Sequence, residues 1–168
     1  HALSLRPEFI TPQDGHTKQD CEIAAAKRWL EKSAALYAPL KATLLGDDIY
    51  AHQPFCRRSL LHDFHFLFVC KPESHKTLYD WISLLETGRP LRTLKTRVKK
   101  GAHWQTYTYR YANQVPLADG DDALKVNWCE VTVTNAQGEV LYRNGFITDF
   151  TLTDENVAAL VAAGRARW

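Results

Sequence analysis

The apolar positions fall into blocks of changing period. Residues 2–10 (ALSLRPEFI) mix apolar and polar types, and Pro7 and Pro12 forbid a long helix there. After a loop at Asp14-Gly15, the positions Ile23, Ala26, Leu30 and Ala34 recur at helical spacing, and Pro39 closes the segment. The short apolar run from Ala42 to Leu45 predicts a buried strand that delivers Asp47 and Asp48 at its C-terminal end. Pro54 suits the first turn of a second helix reaching about His62, and FHFLFVC (Phe64 to Cys70) is the strongest strand pattern in the chain. Ser74 is placed to cap a third helix, with Leu78, Ile82 and Leu85 on one face and Gly88-Arg89-Pro90 at its end. Alternation of helix and strand is the rhythm of an α/β sheet.

That rhythm stops near Leu91, and no helical period returns before Phe150. Residues 94–99 and 104–111 alternate around Lys100-Gly101, which predicts a hairpin. Residues 124–134 read as a strand, 135–138 as a turn, 139–144 as its partner, and 146–150 as one more strand. Thr153 then caps a final helix bearing Val157, Leu160, Val161 and Gly164 on one face. An α/β core over residues 1–88 and 145–168 is therefore expected to carry an all-β insertion at 89–144.

Composition narrows the class. The 168 residues are 45% hydrophobic and 24% charged, enough apolar mass for a real core. No run approaches the roughly 18 apolar residues of a membrane-spanning helix. Cys21, Cys56, Cys70 and Cys129 are scattered without a C-x-x-C pair, which favours reduced thiols and a cytoplasmic setting. The chain starts at His1, holds no methionine, and stops at Trp168 within a helical pattern, so it is expected to be a fragment incomplete at both ends. Net charge is only +2, so any preference for nucleic acid must lie in the distribution of charge.

Two features carry candidate chemistry. An Asp leaving a buried strand, here Asp47, sits where α/β sheets collect ligands, and hard divalent cations take carboxylate oxygens. A solvated turn is the alternative at this point. The second feature is a basic stretch: Arg89, Arg92, Lys95, Arg97, Lys99, Lys100 and Arg110 occur with no Asp or Glu among them. Alternation puts Lys95, Arg97 and Lys99 on one side of a strand, and the returning strand brings Trp104, Tyr107, Tyr109 and Tyr111. Cations with nearby aromatics suit phosphate contact and base stacking, and a lysine-protected sheet edge is the alternative. Other groupings carry less. His62, His65 and Cys70 would diverge from one strand rather than converge on zinc, no pattern ties a His to Cys21, and Asp119-Gly120-Asp121-Asp122 lacks the distal Glu of a calcium loop.

Taken in order, LLGDDIYAHQPFC, FLFVCKPESHKTLYDWI and NGFITDFTLTDENVAALVAAGRARW resemble the DDE transposases of bacterial insertion sequences, in the branch that inserts β-strands between its second Asp and its catalytic Glu. The resemblance spans essentially the whole chain and is weakest in the insertion. It implies a ribonuclease H-like core: a mixed sheet with flanking helices, lacking elements at both ends. It makes Asp47, with an aromatic at Tyr50, the second catalytic Asp and a metal ligand, and leaves Asp48 second to it or solvated. It makes Arg167, which precedes Trp168, a contact for backbone phosphate. The first Asp would lie upstream of His1 and the Glu three residues past Trp168. One departure is Gly164, where the family often has a Tyr three residues before its Arg.

The implied activity is nicking and joining of double-stranded DNA, at transposon ends and target, with Mg²⁺ (or Mn²⁺) as cofactor and a dimer in the synaptic complex. Lys95, Arg97, Lys99, Lys100 and Arg110 would position the DNA. A non-catalytic DNA-binding remnant of such an element, and a ribonuclease H-like nuclease that does not transpose, are the other two readings. Asp47 is expected at the end of a central strand.

Overall fold

The computed structural model describes residues 6–10, 21–88 and 91–166. It is an α/β fold built on one mixed six-stranded sheet. Helix α1 (Glu22–Tyr37) buries Ala25, Trp29, Leu30 and Ala34, and a short 3₁₀ turn with Pro39 ends it. Strand β1 (Thr43–Gly46) leads through helix α2 (Gln53–Leu61) to strand β2 (His65–Val69), which runs parallel to β1. Pro54 does occupy the first turn of α2. Helix α3 (Lys76–Gly88) starts two residues beyond Ser74 and buries Leu78 and Ile82, while Leu85 stays 38% exposed.

Four antiparallel strands follow: β3 (Arg92–Lys100), β4 (His103–Pro116), β5 (Lys125–Thr134) and β6 (Val140–Thr148). The last is longer than expected, because it fuses the two strands predicted at 139–144 and 146–150. Continuous pairing with β5 from Val140 to Thr148, with one irregularity near Val133, explains the fusion. The spatial order is β1-β2-β6-β5-β4-β3. The chain thus comes back from the hairpins to pair β6 with β2, through Leu67 with Thr148 and Val69 with Phe146. The β-rich stretch extends the same sheet that β1 and β2 begin.

Each face of the sheet has its own core. On one, Trp29, Leu30, Phe55, Cys56, Leu78 and Ile82 from α1, α2 and α3 close over Phe66, Phe68, Trp128 and Ile147. On the other, helix α4 (Val157–Arg165) sets Val157 and Val161 against Leu67, Phe146, Val131 and the tyrosines of β4. A strand covered on both sides needs no polar face, which is why β2 reads HFLFV without alternation. The expected cap at Thr153 is displaced: α4 begins at Val157, and the backbone N–H of Thr153 donates to Asn156 Oδ1 at 2.9 Å.

The placement of α4 depends on Gly164. A Cβ there would come within 2.7 Å of the Phe146 ring, so the helix can lie this close to the sheet only without a side chain. A tyrosine of the family pattern has no room at this position.

Candidate functional site

Asp47 follows β1 directly. It is half-buried, with extended backbone (φ −74°, ψ 174°), and its carbonyl accepts the Tyr50 N–H at 3.0 Å. It does lie at the C-terminal end of a strand, but that strand is not central. Among the described residues β1 pairs only with β2 and forms the edge of the sheet. The short apolar run Ala42–Leu45 looked central because α1 covers it: Leu44 packs in the core with Trp29 and Leu30.

The neighbouring carboxylate has a different task. Asp48 Oδ1 accepts the Lys71 N–H at 2.6 Å and lies 3.2 Å from His75 Nε2, off the line of a good hydrogen bond. The His75 ring packs on His52 at 4.8 Å. Asp48 therefore latches the loop after β1 to the loop after β2, at the end of the sheet where Asp47 emerges. Burial holds His75 below the usual histidine range, against the opposing pull of Asp48, so the ring is neutral near pH 7. Sequence reading left Asp48 solvated or secondary and passed over His52 and His75. The only signal was a His in the loop that follows the strongest strand.

Tyr50 anchors the same corner. Its hydroxyl donates to Glu22 of α1, and its ring tilts against Phe55 and Phe68 at 5.0 and 6.1 Å. An aromatic three residues after Asp47 thus ties the strand end to two helices. Among the described residues, no three His, Cys, Asp or Glu side chains converge as metal ligands. A two-metal site needs more carboxylates than Asp47 alone.

The basic positions divide by parity. The register β3 to β4 pairs Lys95 with Thr108, Arg97 with Thr106 and Lys99 with Trp104, so these six share one face. Thr93 pairs with Arg110, which brings Arg110 to the same face. Lys100 pairs with His103 and follows the opposite alternation. Arg110 is engaged: it bonds Glu86 of α3, and its guanidinium lies 3.5 Å from buried Glu130. Arg143 reaches the other oxygen of Glu130 at 2.9 Å. Lys95, Arg97 and Lys99 are exposed, and Arg97 stacks over Trp104 at 5.2 Å.

The expected aromatics do not all accompany them. Tyr107, Tyr109 and Tyr111 are 8%, 6% and 1% exposed and belong to the opposite face, beneath α4. Odd residues of β4 point one way and even residues the other, so Trp104 alone joins the cations. Tyr111 donates to Asp154 at 2.7 Å, and Arg165 lies over Tyr142 and Tyr107 at 4.3 and 5.7 Å. Those contacts hold the last residue of α4 and the loop that leads into the helix. Arg167 and Trp168, like Arg89 and Pro90, lie outside the described residues.

The groupings given less weight resolve into structural roles. His65 Nδ1 is 2.6 Å from Asp149, whose other oxygen accepts the Phe66 N–H. Cys56, Cys70 and Cys129 are buried, and burial pushes their thiols well up, that of Cys129 to about 12. Asp119 and Asp122 tie their turn to Thr77 and Arg57. No helix among the described residues is long and apolar enough to cross a membrane.

No family model matches the chain, and no curated protein matches it.

Proposed function

We propose that this chain is part of the catalytic core of a DDE-type DNA transposase, a ribonuclease H-like fold whose β-rich insertion carries a DNA-contacting surface. The observation that supports this most is the position of Asp47. It leaves the C-terminal end of a strand in a mixed α/β sheet, next to a parallel strand, with a latched loop holding it at the rim. The connectivity supports it as well: β-strands are inserted after the α/β portion, and the chain then returns through β6 and α4.

In this reading Asp47 is one carboxylate ligand, and the resemblance assigns the other two to positions outside these 168 residues. Mg²⁺ would supply Lewis-acid activation of the phosphodiester and of the attacking hydroxyl. What the chain itself contributes is placement. Asp48 and His75 hold the loop, Tyr50 holds the strand end, and Arg167 would contact backbone phosphate. The protein would act on double-stranded DNA as a dimer in the cytoplasm of a bacterium.

The test is nicking of supercoiled plasmid bearing the cognate ends, in Mg²⁺ or Mn²⁺, by the 168-residue chain and by a chain extended through its genomic flanks. The extended protein is expected to nick, and Asp47→Asn to reduce that by at least about 100-fold with DNA binding retained. The 168-residue chain is expected to be inactive. Cleavage by the short chain that survives Asp47→Asn would place the chemistry elsewhere.

A further inference from the structure

The face that holds Lys95, Arg97 and Lys99 continues across three strands. Thr106 and Thr108 pair with Thr134 and Thr132 of β5, so four threonines form two adjoining rungs inside the line of cations. All four are half-exposed, whereas Val131 and Val133 of β5, which alternate with its two threonines, are buried on the other side. Glu130 marks the inner border, engaged by Arg110 and Arg143, and Glu86 of α3 reaches Arg110 at the same line. Helices close over the sheet up to that border. Outside it lie hydroxyls and cations.

We infer that this threonine-floored face is a docking surface for the phosphate backbone of duplex DNA. The inference rests on the DNA-acting reading above and names the surface. Charge complementarity is the first reason: the cations of the face and its border outnumber Glu130 and Glu86, and its outer part holds no acidic residue. Spacing is the second. Alternate residues on one strand recur every 6.8 Å or so, comparable to successive phosphates along one DNA strand. The hydroxyls are neutral donors that need no counter-charge, and much of a protein's bonding to DNA goes to phosphate oxygens in this way.

Duplex rather than single-stranded DNA follows from the aromatics. A single strand is held largely by bases stacked on exposed rings. Here Tyr107, Tyr109 and Tyr111 are buried on the far face, and the one ring on this face, Trp104, already carries Arg97. Apart from Trp104, 45% exposed beneath Arg97, the surface offers backbone contacts and no further ring to stack on.

The experiment is fluorescence anisotropy of the 168-residue chain with a labelled duplex and with a single strand of the same sequence, over a salt series. Replacing Thr106, Thr108, Thr132 and Thr134 together by Val keeps the β-branched shape and removes the hydroxyls. Duplex affinity is expected to fall at least about tenfold with the salt slope unchanged. The matching Thr→Ser set is expected to retain binding, and equal melting temperatures of the two sets control for folding. Replacing Lys95, Arg97 and Lys99 by Ala is expected to flatten the slope of log affinity against log salt by up to about 3 units. A Val set that binds like the parent, or a parent that prefers the single strand, overturns the inference and leaves the DNA-acting reading standing. A parent that binds neither probe overturns both.

Discussion

The two ends of the sheet obey opposite rules although they share one hydrogen-bonded framework. At the β1–β2 end helices lie on both sides, and Phe66, Leu67, Phe68 and Val69 are all within 4% of full burial. At the β3–β4 end only one side is covered. There Tyr107, Tyr109 and Tyr111 are buried, while the residues between them face solvent or the polar border. The first end is specified by apolar volume, so its register depends on packing. The second is specified by alternation, because a slip of one residue would expose three tyrosines and bury the cations. An end of the second kind keeps a whole face available for chemistry without weakening its core.

Core truncation should expose the difference most strongly. Trp128 is 1% exposed, where Tyr79 meets its ring edge-on at 5.9 Å. Trp128→Ala should destabilise the protein by about 3–5 kcal/mol. Val98, 41% exposed on the edge strand, should cost under about 0.5 kcal/mol as Val98→Ala. Urea denaturation of both variants checks this, and equal losses would mean that the hairpin end is as tightly packed as the helix-covered end.

A smaller effect probes the junction between the ends. Phe146 is 1% exposed and cannot yield, so Gly164→Ala should push α4 off the sheet and cost about 1–3 kcal/mol. A thermal melt that rises instead, as helix propensity alone would predict, would show that the close approach is not a constraint.

The smallest expected effect is a pH dependence confined to the β1–β2 end. His75 has its folded-state pKa lowered by burial, so between the unfolded value near 6.5 and the lower folded value the unfolded chain binds more protons. Stability is therefore complete above that window and declines as pH falls through it. His75→Gln should remove part of that decline, measured as the change in unfolding free energy from pH 7.5 to 5.5. An unaltered slope would mean that His75 does not stay neutral in the folded protein.

Much of this was legible in the linear pattern. The apolar runs located β1 and β2, helical spacing located α1, α3 and α4, and Pro54 marked the start of α2. Even the sidedness of Lys95, Arg97 and Lys99 followed from period-two alternation, a local property of any extended chain. The position of Asp47 after a strand was equally local. What local rules could not reach was partnership. The order of residues indicated that the core resumes near Gly145, but not that β6 pairs with β2, making β1 an edge and the hairpins an extension of the same sheet. The latch of Asp48 to the Lys71 N–H joins residues more than 20 positions apart, and the Glu130 border joins three strands and a helix. Such contacts depend on which face of which strand meets which neighbour. That is decided by register and by close approaches such as Gly164 against Phe146, which exist only once the chain has folded.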